Sequence, residues 1–256
     1  MTDNFRTDSK QLSDRKFSNI PESPDFTMYF DVTYILVLIG ALISLIASIN
    51  VNWTFKRYSR KLNARGMTAE QVASYILQSA DIHDVQIGRI RGNLTDHYSP
   101  TEQVLRLSDS VYGSSSVAAI GVAAHECGHA IQHKVGYFPL KLRSISVPVA
   151  NIGSKLSWPI ILLGLVLGYM GLAKVGVFMF LFVVAFQLIT LPVEFNASHR
   201  AIKVLRERNI LFDEDLRKAK KVLTAAAMTY VASLFSSILQ LFRLLLLVRG
   251  GGRRRR

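Results

Sequence analysis

The sequence of 256 residues predicts a mainly α-helical, multi-span membrane protein that carries a small α+β portion. Three observations support this. Half of the residues are apolar, and many are gathered into runs long enough to cross a bilayer, which takes a helix of roughly 20 residues. The 31 Lys and Arg give a net charge of +13 and cluster at the ends of those runs, as in membrane proteins, so basicity does not point to nucleic acid. A mostly polar segment, 54–156, separates the first run from the rest and contains short alternating stretches beside an Ala/Gly-rich helical one.

Residues 1–31 are polar and mixed in charge, without the apolar core of a cleaved signal peptide. They are expected to form a disordered tail, within which Met28 offers an alternative translation start. Residues 32–53, apolar almost without interruption from Val32 to Ile49, form the first transmembrane helix. Lys56, Arg57, Arg60, Lys61 and Arg65 follow at once, which places the segment after Trp53 in the cytoplasm. Thr68-x-x-Gln71 reads as a capping box for a helix over 69–79. Val85 to Ile90 and Gln103 to Leu107 alternate apolar and polar residues and read as strands, with Ser99-Pro100 in the turn between them. Ser114 to Ser116 offer N-caps for a helix running through His133, which Gly136 and Pro139 end.

Residues 157–193 read as a transmembrane hairpin, Trp158–Ala173 and Val175–Val193, that turns at Lys174. Residues 194–221 return to a polar, basic helix with Ala197, Ala201, Val204 and Leu205 on one face. Residues 222–248 are a fourth apolar segment, diluted by Gln240 and Arg243. It is expected to span, with an interfacial position as the alternative. Residues 249–256 form a basic Gly/Arg tail. Segments 54–156 and 194–221 together hold 20 of the 31 Lys and Arg, which assigns both to the cytoplasmic side. Four full spans leave Arg253 to Arg256 outside, against the same rule, unless the earlier charges dominate.

The chemistry lies in His125-Glu126-Cys127-Gly128-His129. This is H-E-x-x-H, which puts two imidazoles one turn apart on a helix face, where they can hold a zinc ion with the glutamate as general base. A catalytic zinc needs a third protein ligand. His133 continues the same face, but eight residues of helix rise about 12 Å from His125, too far for one ion. A histidine six residues after His129 is absent, since that position is Val135. Glu194 is the better candidate: two crossings separate it from His129, so the chain returns to the same side, and a carboxylate at the end of an apolar run needs water, a metal or a partner. His199 and Glu207 are weaker candidates on the same segment. Ser198, one turn after Glu194, is a candidate to hold a histidine ring by a hydrogen bond, and His97 or Tyr98 to stabilise an oxyanion. Gln103 to Leu107 is read as an edge strand able to pair with an extended peptide. Cys127, the single cysteine, is read as a packing residue and permits no intramolecular disulfide.

Val122 to Gln132, Leu94 to Tyr98 and Leu191 to Ser198 closely resemble the YugP-like membrane zinc metallopeptidases of bacteria, over a region from residue 33 to the end. The layout of H-E-x-x-H, transmembrane pair and glutamate is also similar to that of the HtpX-type membrane proteases. There the glutamate opens an E-x-x-x-D motif whose aspartate supports a ligand histidine; here that position is Ser198. The resemblance implies a zincin-like portion, one Zn2+ per chain, a peptide or membrane-protein substrate and an integral, multi-pass location in a bacterial cell membrane. The expected function is therefore a zinc endopeptidase at the cytoplasmic membrane surface, in membrane-protein quality control. The alternative is a non-catalytic metal-binding scaffold or chaperone. A site buried within a span is disfavoured, because the apolar stretch before His125 is short and no Asp-Gly follows.

Overall fold

The computed structural model describes residues 33–251, so the expected tail over 1–31 and the arginines 253–256 lie outside the described residues. The chain divides into two units, Met1–Ile35 and Leu36–Arg256, and the architecture that follows is that of the second. Helix α1 spans Tyr34–Tyr58 and α2 Ala69–Ser79. Strands β1 (Gln86–Ile90), β2 (His97–Ser99) and β3 (Val104–Ser108) follow, then α3 (Val117–Lys134), α4 (Phe138–Val166), α5 (Met170–Glu207) and α6 (Asp213–Gly251). Four of these helices, α1, α4, α5 and α6, are long and apolar enough to cross a membrane.

Four helix ends share one device. Asp81, Gly136, Gly168 and Asn209 each take a left-handed backbone just past α2, α3, α4 and α5. The following N–H reaches back to a carbonyl five residues earlier: Ile82 to Leu77, Tyr137 to Gln132, Tyr169 to Gly164 and Ile210 to Leu205. This pattern closes a helix by satisfying its last carbonyls. It also relocates the hairpin expected over 157–193. The turn falls at Leu167–Tyr169, where glycine tolerates the positive φ, and Lys174 lies inside α5. Helix α4 likewise begins at Phe138, with Pro139 in its first turn opening it rather than ending the helix before. The second arm of the hairpin and residues 194–207 of the basic segment are one continuous helix, whereas the rest of that segment turns at Asn209 and opens α6 from Asp213. Pro192 offers no N–H to the turn before it, a deficit of about 3 kcal/mol in an isolated helix. Here Val193 and Ala197, both fully buried, hold the two sides together by packing.

Two apolar clusters organise the chain. The larger joins one face of α2 (Val72, Ala73, Ile76) to Leu105 and Leu107 of β3, to most of α3, and to Ala201, Leu205 and Ala219 of α5 and α6. The smaller lies among the apolar helices and contains Ile161, Val177, Phe180 and Leu244. Helix α1 leaves Leu38, Leu42, Leu45 and Ile49 exposed. It meets α6 at Gly40, where Ser236 Oγ donates to the Gly40 carbonyl at 2.6 Å and lies 2.8 Å from Ser44 Oγ.

The sheet has the order β1-β3-β2, parallel between β1 and β3 and antiparallel between β3 and β2. The stretch read as an edge strand is therefore the central one. The turn around Ser99 is instead a short third strand, and it supplies an open edge next to α3. Asp96 fastens that strand, accepting from Ser108 N at 2.7 Å and Ser108 Oγ at 2.9 Å. Lys134, the last residue of α3, reaches Asp81 Oδ2 at 2.8 Å and the Ala80 carbonyl at 2.9 Å, so it tethers α3 to the capped end of α2.

Candidate metal centre

Helix α3 presents the two histidines. Its N-cap is Ser116, whose Oγ accepts from Ala119 N at 3.2 Å, and its apolar flank packs against α2 and α6. Position 128, between Glu126 and His129, decides what approaches next. A Cβ built on Gly128 would stand 2.6 Å from the carbonyl oxygen of Ala197, so only glycine lets the backbones of α3 and α5 touch there. Ala197 is three residues after Glu194, and this contact carries Glu194 to the imidazoles.

The donor atoms converge. Glu194 Oε2 lies 3.3 Å from His125 Nε2 and 3.6 Å from His129 Nε2. One ligand atom from each of the three residues falls within 4.8 Å of the others, and Glu194 and His129 are buried. Tetrahedral ligands each about 2.0–2.1 Å from a zinc ion stand about 3.3 Å apart, so the donor set fits the ion in identity and the two glutamate–histidine distances fit its spacing. The other ring nitrogens are already occupied, which aims the Nε2 atoms inward. His125 Nδ1 is 3.1 Å from Ser198 Oγ, and His129 Nδ1 is 3.0 Å from Gln132 Oε1.

The charges also suit a cation. Burial opposes the charged form of His129, but its hydrogen bond to Glu194, the charges of Glu126 and Glu194 and the Gln132 contact together raise its pKa above the ordinary histidine value. Glu126 is buried as well, at 7% exposure. Arg143 of α4 pairs with the opposite oxygen of Glu194, Oε1, at 3.2 Å. Tyr230 of α6 stands within electrostatic reach of Glu194, Arg143 and Glu126. Four helices thus contribute to one pocket.

The remaining sequence candidates lie elsewhere. His97 is half-buried, with Nδ1 on the Thr95 carbonyl at 3.0 Å. Tyr98 Oη is 2.9 Å from His133 Nδ1, one turn beyond His129. His199 is exposed, and Glu207 forms an exposed ion pair with Lys203 at 3.8 Å. Cys127 is fully buried against α2, its Sγ donating to the Ala73 carbonyl at 3.6 Å, and burial pushes its thiol far above the usual range. Sequence reasoning missed Gln132, Arg143 and Tyr230. Gln132 had a faint signal: it is an amide one turn after His129, on the face that carries both histidines. It is fully buried and also donates to Val193 O at 2.8 Å and Asn196 Oδ1 at 3.0 Å. Arg143 and Tyr230 had none, since only the packing of α4 and α6 brings them in.

Residues 33–249 match the family described as "Putative neutral zinc metallopeptidase". The chain is 41% identical over 219 residues to the "Putative membrane protease YugP" of Bacillus subtilis (strain 168), a match covering 85% of this chain and 97% of that protein. No solved structure matches it.

Proposed function

The chain belongs to this neutral zinc metallopeptidase family, and on that premise we propose that it is a membrane-bound zinc endopeptidase that hydrolyses peptide bonds at the cytoplasmic face of the bilayer. The observation that carries the reading is the convergence of His125, His129 and Glu194 beside a buried Glu126. A purely structural site needs no such general base.

His125 and His129 through Nε2 and Glu194 through a carboxylate oxygen would hold the ion. When bound, zinc supplies Lewis acidity and brings the pKa of water towards about 7. Glu126 takes the proton of the water that attacks the peptide carbonyl, and returns it to the amine nitrogen as the C–N bond breaks. Ser198 and Gln132 keep the two imidazoles in orientation throughout, and Arg143 holds Glu194 from its far oxygen. An extended substrate has a free sheet edge available in β2, whose described residues pair only with β3.

Helix lengths support a site at the membrane surface. Glu194 lies about 36 Å along α5 from its first residue, and Arg143 about 35 Å along α4 from its last, at 1.5 Å per residue. A hydrocarbon core is about 30 Å thick, so both residues stand just beyond one face of it. The Lys and Arg concentrated in 54–143 and 194–221 favour the cytoplasmic side for that face, in keeping with four spans. Such a position suits the removal of damaged membrane proteins.

Zinc analysis and peptide cleavage of detergent-purified protein test the proposal. Glu126→Gln is expected to keep its zinc and lose about 10²–10⁴-fold in cleavage rate. Glu194→Ala is expected to lose the metal. A Glu126→Gln protein that cleaves as fast as the parent defeats the mechanism, and unchanged zinc affinity in Glu194→Ala removes that ligand.

A further inference from the structure

The outward face of α4 carries a polar stripe along its membrane-spanning length. Ser144, Asn151 and Lys155 are all exposed, and their spacing sets them one above another on the helix. The opposite face is the packed one. Ala150, Gly153, Ser157 and Ile161 are buried there, and a Cβ on Gly153 would stand 2.9 Å from the Met179 carbonyl oxygen of α5. The backbone adds to the stripe. Pro148 and Pro159 lie inside α4 and have no N–H, so the carbonyls of Ser144 and Lys155, four residues before each, lose their helix bond. We propose that this stripe docks a transmembrane helix of the substrate, one that carries an aspartate or glutamate within the bilayer. The proposal rests on the peptidase reading above.

The first argument is depth. Lys155 lies about 18 Å along α4 from Arg143, beside the metal centre, and about 17 Å from Val166 at the far end. It therefore stands near the middle of a hydrocarbon core about 30 Å thick. Lys174 is in the second turn of α5 and can lift its amine to the interface; the stem of Lys155 is too short to do so. An exposed lysine at that depth is costly unless it meets a partner. The second argument is charge. No Asp or Glu occurs in 34–53, 144–166, 170–193 or 222–249, the apolar stretches of the described spans. A second copy of these spans offers Lys155 no carboxylate within the bilayer, so the matching group belongs to another protein. The third is continuity. Ser144 follows Arg143, whose guanidinium pairs with Glu194. A cavity of about 670 Å³ lined by Lys141 and Ser144 also takes in Gln132 of the ligand helix. A helix seated on the stripe therefore leaves the bilayer next to the metal ligands, and the chain that follows it is the stretch presented for cleavage. The substrate class follows from the same chemistry. An acidic residue within an assembled membrane complex has its own partner there. A subunit that has lost that partner turns the carboxylate to lipid, and this is the subunit Lys155 selects.

The test uses the full chain, zinc-loaded, in phosphatidylethanolamine–phosphatidylglycerol vesicles. The probes are synthetic single-span Leu/Ala helices with an extended polar tail, bearing Asp, Leu or Lys at the centre of the span. Binding is read by resonance energy transfer in a Glu126→Gln background, which keeps a bound probe intact. The Asp helix is expected to bind about 10-fold or more tightly than the Leu helix. Adding Lys155→Leu should bring the Asp helix down to the affinity of the Leu helix, and Lys155→Glu should move the preference to the Lys helix, with zinc content as the check on folding. Equal binding of the Asp and Leu helices before Lys155 is changed overturns the proposal, as does an Asp preference that survives Lys155→Leu. A chain that binds none of the helices but passes from dimer to monomer on Lys155→Leu assigns the stripe to self-association and overturns it too. With Glu126 restored, the Asp helix should be the one cut fastest. Selective binding without any cleavage overturns the peptidase reading alone, a distinct result.

Discussion

Gly128→Ala tests how the site is assembled. The added Cβ would meet the Ala197 carbonyl oxygen at 2.6 Å, its carbonyl carbon at 3.1 Å and its Cα at 3.2 Å. These are backbone atoms, so no side chain can swing aside. To reach an ordinary contact the α5 backbone must retreat by about 0.8 Å, an overpacking that typically costs about 1–3 kcal/mol. Alanine returns about 1 kcal/mol through helix propensity, so the net loss of stability is modest. The larger effect falls on the metal. Glu194 Oε2 now stands 3.3 and 3.6 Å from the two Nε2 atoms, and a retreat of α5 carries it out of reach of an ion held by both histidines. Zinc affinity should drop about 10–100-fold, the range seen when support of a ligand is lost. Competition against a chelating chromophore measures this, with thermal unfolding in detergent beside it. Gly121→Ala is the control, because its Cβ meets Ala219 Cβ at 3.4 Å, an ordinary contact on the same helix. If Gly128→Ala binds zinc as tightly as Gly121→Ala, the account of the α3–α5 contact is refuted.

Three further outcomes are expected. Gln132→Ala removes a fully buried amide with its hydrogen bonds to Val193 O and Asn196 Oδ1, and leaves His129 Nδ1 without its acceptor. A melting transition lowered by about 1–3 kcal/mol of stability, together with weaker zinc binding, should be seen; unchanged melting excludes the role. Ser198→Ala should loosen zinc about 10-fold, whereas Ser198→Asp, a stronger acceptor for a ring N–H, should hold it at least as tightly as the parent. Chelator titration of both decides, and a weaker Ser198→Asp would falsify the orienting role of this position. Asp96 has its pKa raised by burial, against the lowering hydrogen bonds from Ser108. The folded state therefore binds its proton more tightly than the unfolded one. That contribution is full below the unfolded value near 3.9 and is lost as pH rises through the higher folded value. Asp96→Asn has no such proton, so its stability relative to the parent should improve from pH 4 to pH 7; a flat difference in melting temperature counts against the shift.

The helix boundaries show where sequence reading stops. Ser116 and Thr68 were legible as helix starts, because a short hydroxyl before an apolar period has few other uses. The stops were harder. Gly136 signals a left-handed cap, but Asp81 and Asn209 take the same conformation without being glycine, and Gly168 sits in an apolar run where Lys174 looked the more natural turn. Charge is a weaker determinant of a tight turn than backbone freedom, and Lys174 is carried on a helix with its stem free to reach the surface. The order of the strands was also hidden. The alternation of 103–107 shows a strand with one buried face but says nothing about how many neighbours it has.

The sequence by itself determined the chemistry. H-E-x-x-H, a later glutamate at the end of an apolar run and basic segments between apolar ones define the metal class and the membrane setting, because ligand spacing on a helix and residue transfer into lipid are local properties. The tertiary structure decided which groups serve that chemistry. Gly128 meets Ala197 across 69 positions of sequence, and that single contact brings Glu194, Ser198 and Asn196 to the face where His125, His129 and Gln132 wait. Arg143 arrives with α4, and Tyr230 with α6. Close approach of backbones depends on the shapes of two surfaces at once, and no pattern within either segment records it.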